Sequence, residues 1–130
     1  MVEATIAMHT VFDSPRDKIV FDVSHQSYTH KMLTGRKDAF LYEEKYDDVS
    51  GYTNPDESEH DFFNIGHTST GISLASGLAK ARDLKGEKYN VIALSQPFFQ
   101  DLTFCHAPVL LSFISHSYSA IIFLFLPIYL

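Results

Sequence analysis

Two stretches of this 130-residue chain carry residue types that could do chemistry. The first is FDVSHQSYTHKMLTGR, residues 21–36, in which His25 and His30 follow a short β-branched run. In open α/β sheets ligands bind at the carboxyl ends of the strands, so His25 is placed to move a proton or to hydrogen-bond a substrate oxygen. The other role open to such a histidine is a bond to a neighbouring carbonyl. The spacing of His25 and His30 does not put both on one helical face, which argues against a zinc pair, and no Cys-x-x-Cys or His-Glu-x-x-His run occurs. The second stretch is GHTSTG, residues 66–71. A glycine and hydroxyl residues at a helix start present free N–H groups and the positive end of the helix dipole, which suits an anion such as a diphosphate. Capping alone would also place Thr68, Ser69 and Thr70 there. His67 adds a hydrogen-bonding group at the same rim.

These residues must be positioned by the elements around them. DKIVFDV, residues 17–23, is nearly continuous in apolar side chains, as a strand buried on both faces would be. A short helix or turn through YTHKMLTG follows, stopped by Gly35. Residues 41–61, LYEEKYDDVSGYTNPDESEHD, form a polar run with Gly51 and Pro55 and are expected as a long surface loop. Its carboxylates in YEEKYDD and DESEHD are expected as solvated charges, and neither run has the pattern of a calcium loop. Residues 66–86 are expected as a helix with Ile72, Ala75, Leu78 and Ala79 in an apolar stripe and Gly86 at its end. KYNVIALS, residues 88–95, is the second buried strand. Strand, crossover with a helix, strand is the order of an α/β domain with an open parallel sheet. At the chain start, MVEATIAMHTVF reads as an amphipathic helix with Val2, Ile6, Met8 and Val11 on or near one side, beginning as abruptly as a chain cut inside a larger domain.

Composition limits the function classes. The length allows one domain at most, and 45% apolar with 20% charged residues fits a globular chain. A formal charge of −6 with no basic cluster gives nucleic-acid binding no electrostatic support. One cysteine, Cys105, excludes an internal disulfide and suits a reducing, cytoplasmic compartment; no base stands near it to make it a nucleophile. No signal peptide is visible near Met1.

All ten Lys/Arg and all sixteen Asp/Glu lie at or before Asp101. The chain therefore divides into residues 1–95, α/β in pattern, and residues 96–130, an apolar tail that is uncharged from Leu102 onward. The tail shows neither a helical stripe nor clean alternation and is expected to be irregular. Residues 106–130 are long enough to cross a bilayer, which takes ~20 residues. They also hold His106, His116, four serines and two prolines without a basic flank. That pattern favours a non-native tail from a truncated or shifted reading frame over a membrane anchor.

Residues 1–40, then ESEHDFFNIGHTSTGISLASGLAKARDLKG, then YNVIAL resemble the 1-deoxy-D-xylulose-5-phosphate synthase family from Met1 to about Leu94, with the DVSHQSY, SEHD and GHTSTGIS blocks in the family's order. The resemblance implies a transketolase-like fold, a thiamine diphosphate cofactor held through Mg2+, and condensation of pyruvate with glyceraldehyde 3-phosphate in isoprenoid precursor synthesis. It implies that His25 lies over the cofactor near the diphosphate and the reacting carbonyl, and that Gly66, His67 and Thr68 contact the cofactor. The family's Gly-Asp-Gly after the second strand, whose Asp binds the magnesium with a later Asn, is not matched. Ser95, Gln96 and Pro97 stand there, no Asp or Glu follows Asp101, and no Asn follows Asn90. The glutamate that activates the cofactor belongs to a domain this chain does not contain. The expectation is therefore a synthase-like fragment inactive alone, with no metal ligands of its own. The alternatives are a non-catalytic module that pairs with full-length synthase or with itself, and a membrane-associated protein held by its tail.

Overall fold

The computed structural model of the chain describes residues 2–67 and 70–94 and the backbone of Ser95, 112–115 and 120–125. Helix α1 spans Val2–Val11 and leads into strand β1, Lys18–Phe21. A 3-10 turn at Ser24–Gln26 precedes the short helix α2, Tyr28–Lys31, which widens into a π-type turn over Met32–Arg36. Helix α3, Asp38–Leu41, and a 3-10 segment, Glu43–Asp48, start the long connection to helix α4, Gly71–Lys85. Strand β2 is Val91–Ser95, β3 is Ser112–Ser115 and β4 is Ala120–Phe125. The strand order is β1-β2-β4-β3, with β1 and β4 both parallel to β2 and β3 antiparallel to β4.

The α/β order expected from the sequence is what the chain adopts, and the reason lies in the two faces of the sheet. Val20, Val91 and Ala93 point to one face, where Ala75 and Ala79 of α4 and Ile65 pack on them. Ile19, Phe21, Ile92 and Leu94 point to the other, where Met8 and the partly buried Phe12 cover them. With both faces buried, neither strand can alternate with polar residues, and each reads as a continuous apolar run. Burying a side chain such as Phe21 or Ile92 fully is worth about 1.5–3 kcal/mol.

Polar pairs set the register where the strands begin. Asp17 Oδ1 accepts from both the backbone N–H and the side-chain amide of Asn90, at 2.7 and 3.1 Å, and Lys18 N–H donates to Asn90 O. Lys18 is thereby aligned with Val91 and Phe21 with Leu94. Arg82, 1% exposed on α4, donates to Tyr89 O at 2.9 Å and fixes the return from helix to strand.

Gly35 and Gly86, read as stops, sit at φ 96° and 69°, and Gly86 N–H closes α4 by donating to Asp83 O. Without a Cβ, glycine adopts this left-handed conformation freely.

Three expectations are corrected. Helix α1 forms, but its inward side is the buried Thr5 with Met8 and Phe12, the last two packed on the sheet, while Val2, Ile6 and Val11 are about half or more exposed, at 53%, 47% and 74%. A buried threonine hid that side from a count of apolar residues. The connection over 41–61 is not uniformly solvated, because Thr53 and Asp61 are buried. The tail, expected to be irregular, contains β3 and β4; the rest of residues 96–130 lies outside the described residues. Among the described residues no helix is long and apolar enough to cross a membrane.

Candidate functional site

β1 delivers its last residues to the carboxyl end of the sheet, and there the chain turns sharply. Val23 takes φ 50°, ψ 72°, a conformation that costs a β-branched residue on the order of 1–3 kcal/mol. That turn places Ser24 inside, fully buried, as a hub. Its N–H and its hydroxyl both donate to Ile65 O, at 3.2 and 2.6 Å, and its Oγ accepts from Thr53 N–H at 3.0 Å. His25 follows Ser24, Gly66 and His67 follow Ile65, and Tyr52 precedes Thr53. One serine therefore ties three segments side by side beyond the end of β1.

Of the residues singled out in the sequence, His25, Gly66 and His67 are described and all three are exposed. Thr68 lies outside the described residues. His30 goes elsewhere: it is fully buried in α2, against Phe21 at a ring separation of 5.0 Å. The two histidines of HQSYTH are thus divided, one facing solvent at the strand end and one in the interior.

The start of α4 differs from the capping expected of GHTSTG. Thr70 occupies the cap position but makes no side-chain capping bond to the helix; its hydroxyl donates to His67 O at 3.2 Å. Gly71 N–H donates instead to Asp22 Oδ1, at 3.1 Å. Asp22, 2% exposed at the end of β1, therefore already sets a carboxylate against the positive end of α4. The close approach requires Gly71: a Cβ there would lie 2.9 Å from Asp22 Cβ and 3.1 Å from its Cα.

Sequence reasoning also missed a buried ionic network behind the site. Asp61, expected in solvent, has a fully buried side chain and accepts from His30 Nε2 at 3.0 Å, from Arg36 at 2.6 and 3.0 Å, and from Asn54 N–H at 2.9 Å. Glu57 accepts from Lys31 Nζ at 2.6 Å, from Arg36 at 3.2 Å and from Ser50 N–H at 2.6 Å. His9 of α1 shares a 2.8 Å hydrogen bond with His30 Nδ1, and His60 shares one of 2.9 Å with the Ser14 hydroxyl. α1, α2 and residues 50–61 are joined through these side chains. The only signal for this in the sequence is the presence of three basic side chains (His30, Lys31 and Arg36) within seven residues, with no acid among those seven.

The network has a direction in pH. Burial lowers His9 from 6.5 to about 4, and the nearby His30 and His60 add to the effect. Burial, then His30, lowers His60 as well. Burial pushes Asp61 upward, but bonds from His30 and Arg36 outweigh it and hold the carboxyl well below its usual range; for Glu57 the bonds from Lys31 and Ser50 do the same. As pH falls from 6.5, the unfolded chain takes up protons that folded His9 accepts only near 4, so stability falls across that window. The loss through His9 is about 2 kcal/mol after allowing for solvent screening. The carboxylate contribution is present above the ordinary values near 4 and is lost as pH falls below them. Urea midpoints at pH 7.5 and 4.5 measure the first loss, and His9→Gln is expected to flatten it.

An open sheet, parallel through β1, β2 and β4, with polar loops gathered beyond the carboxyl end of β1, is the architecture of a ligand-binding α/β domain. Residues 1–96 match the family profile described as 1-deoxy-D-xylulose-5-phosphate synthase. The chain is 57% identical over 93 residues to the 1-deoxy-D-xylulose-5-phosphate synthase of Dictyoglomus turgidum, covering 72% of this chain and 15% of that protein. It is 57% identical over 94 residues to that of Symbiobacterium thermophilum, covering 72% and 14%. Against the Syntrophus aciditrophicus protein the figure is 50% over 93 residues, covering 72% and 14%. The chain belongs to the 1-deoxy-D-xylulose-5-phosphate synthase family, and it spans about 15% of the length of the curated relatives it matches.

Proposed function

We propose that this chain carries the diphosphate-binding side of a thiamine diphosphate site, with His25, Gly66, His67 and Thr68 as its contacts, and that it does not complete the family reaction alone. The observation that carries this reading is the Ser24 hub, whose two bonds to Ile65 O bring His25 beside Gly66 and His67 at the carboxyl end of β1. These residues fit the diphosphate end of the cofactor. Gly66 is exposed, and the histidines can donate to phosphate oxygens or hold a proton at a ring nitrogen. When bound, thiamine diphosphate would supply the carbanion chemistry; the chain's part is to orient it and to manage protons, with His25 as the proton-handling group.

The donor set does not fit the magnesium that the family employs. β2 ends at Ser95 on the same edge of the sheet as Asp22, and Gln96 and Pro97 follow. Magnesium needs hard oxygen ligands in an octahedral shell, and no carboxylate stands in that stretch. Asp22 is already engaged by Gly71 N–H. Condensation of pyruvate with glyceraldehyde 3-phosphate also needs an acid that activates the cofactor ring, and the set His25, Gly66, His67 and Thr68 includes none. A cytoplasmic setting belongs to the same reading, supported by the single Cys105.

A titration of the full chain with thiamine diphosphate into the millimolar range, followed through the ring signals of His25 and His67, tests this. Both signals are expected to move together. A Cβ on Gly66 would meet only the Tyr52 ring, at an ordinary 3.8 Å, so Gly66→Ala should keep stability within about 0.5 kcal/mol while weakening the ligand. Histidine signals that stay fixed throughout would rule the site out.

A second reading, that the chain associates with full-length synthase or with itself, is supported by Val2, Ile6 and Val11, exposed along α1. Light scattering alone and with added synthase distinguishes it: a chain that stays monomeric in both removes it.

A further inference from the structure

Tyr52 lies on the rim of the same site, and nothing in the sequence reading gave it a role. Its ring packs over Gly66, with Cζ and Cε1 at 3.8 and 3.9 Å from where a Gly66 Cβ would stand. It is nevertheless 45% exposed, so one part of the ring rests on the candidate loop and the rest faces outward. The backbone that carries it is held from both sides. Ser50 Oγ donates to Tyr52 O at 2.8 Å, and Thr53 N–H donates to the Ser24 hydroxyl at 3.0 Å. Further back, the Tyr28 hydroxyl lies 3.8 Å from a Cβ position on Gly51, and the Tyr28 ring leans on Phe40 at 5.5 Å. Glu57 accepts from Ser50 N–H and binds this stretch to the buried ionic network.

Tyr28, Tyr42 and Tyr46 are as exposed, but the Tyr52 ring is the one that stands against Gly66 of the candidate site. The phenol offers a flat apolar face and a polar edge, and two side-chain torsions are all it must order on binding. The neighbours His25 and His67 suit the charged end of a ligand, while Tyr52 suits a planar, partly apolar end. We infer that Tyr52 is a binding residue of the site formed by His25, Gly66 and His67, a preset aromatic wall that packs against the heteroaromatic part of an organic diphosphate. This rests on the function proposed above and adds which side of the site reads the organic group.

The chain has no tryptophan, so Tyr52→Trp places a sole tryptophan at this position, excited apart from the tyrosines. The full-length variant is titrated with thiamine diphosphate and, separately, with inorganic pyrophosphate, while the His67 ring signal reports whether the ligand enters the site. The organic diphosphate should change Trp emission in step with the His67 shift, whereas pyrophosphate should move His67 and leave emission unchanged. In the chain without a tryptophan, Tyr52→Phe should bind within twofold of the parent and Tyr52→Ala about fivefold more weakly, the size of one aromatic contact. A moving His67 signal with steady Trp emission, or an equal emission response to pyrophosphate, would overturn the wall and leave the diphosphate site standing. A Trp response without a His67 shift would place the ligand outside the site and overturn it too. Two silent probes would remove the wall and the site together.

Discussion

Asp61→Ala is expected to destabilise the chain by about 3–5 kcal/mol, the cost of removing one partner from a buried ion pair. The carboxylate accepts four hydrogen bonds from His30, Arg36 and Asn54, and its side chain is wholly buried. Without it, a guanidinium whose side chain is only 10% exposed loses its bidentate partner, and the buried His30 loses the acceptor that fixes Nε2 as its protonated nitrogen. Among the described residues the buried Arg36 Nε has no partner, so the cation has little else to turn to apart from Glu57 and Thr34. Asp61→Asn keeps the volume and one acceptor oxygen and should cost about half as much. Equilibrium urea unfolding reads both values. A loss below about 1 kcal/mol for the alanine variant would mean that residues 50–61 are not anchored through Asp61 at all. Because those residues carry Thr53 and Tyr52 to the Ser24 hub, the same variant should broaden the His25 and His67 ring signals.

Gly71→Ala ranks second. A helix start ordinarily welcomes alanine over glycine, by up to about 1 kcal/mol. Here the added carbon would stand 2.9 Å from Asp22 Cβ and 3.2 Å from Asp22 N, against backbone that β2 holds through the bond from Asp22 N–H to Leu94 O. The contact cannot be relieved by turning a side chain, so α4 must shift and stretch the bond from Gly71 N–H to Asp22. Overpacking of this kind costs about 1–3 kcal/mol, and loss of the capping bond adds to it, giving a net destabilisation of about 2 kcal/mol. Thermal unfolding of Gly71→Ala beside Gly77→Ala checks the assignment, since a Cβ on Gly77 meets nothing within 4 Å and should be neutral or stabilising. Equal behaviour of the two variants would deny that Asp22 and α4 touch as described.

What could be read directly from residue order was whatever the chain repeats locally. β1 and β2 announce themselves because burial on both faces leaves no room for polar alternation, and α4 shows its stripe of Ala75 and Ala79 and its stop at Gly86. β4 pairs in parallel beside β2, and its sequence AIIFLF is likewise a continuous apolar run. Attention to the missing charges of the tail concealed that signal. The remaining misses are long-range. Asp61 looks like a loop charge until Arg36 and His30, more than twenty residues earlier, fold onto it. The capping of α4 by Asp22 joins residues 49 apart, and no local pattern announces it. Thr5 turned the apparent face of α1, since a buried hydroxyl residue counts as polar in any periodicity. His25, Gly66 and His67 stood out by residue type and position and were given cofactor roles through resemblance, whereas the serine that brings their segments together and the tyrosine beside Gly66 needed the folded chain.

The central claim is that this chain keeps the diphosphate side of a cofactor cradle without the cation anchor that tightens it. Calorimetric titration with thiamine diphosphate, in the presence and absence of magnesium, addresses that claim most directly. Losing the metal should weaken binding by several kcal/mol, so the expected result is no saturation in the micromolar range and the same weak heat with or without magnesium. Saturation at micromolar cofactor that disappears when magnesium is removed would contradict the account.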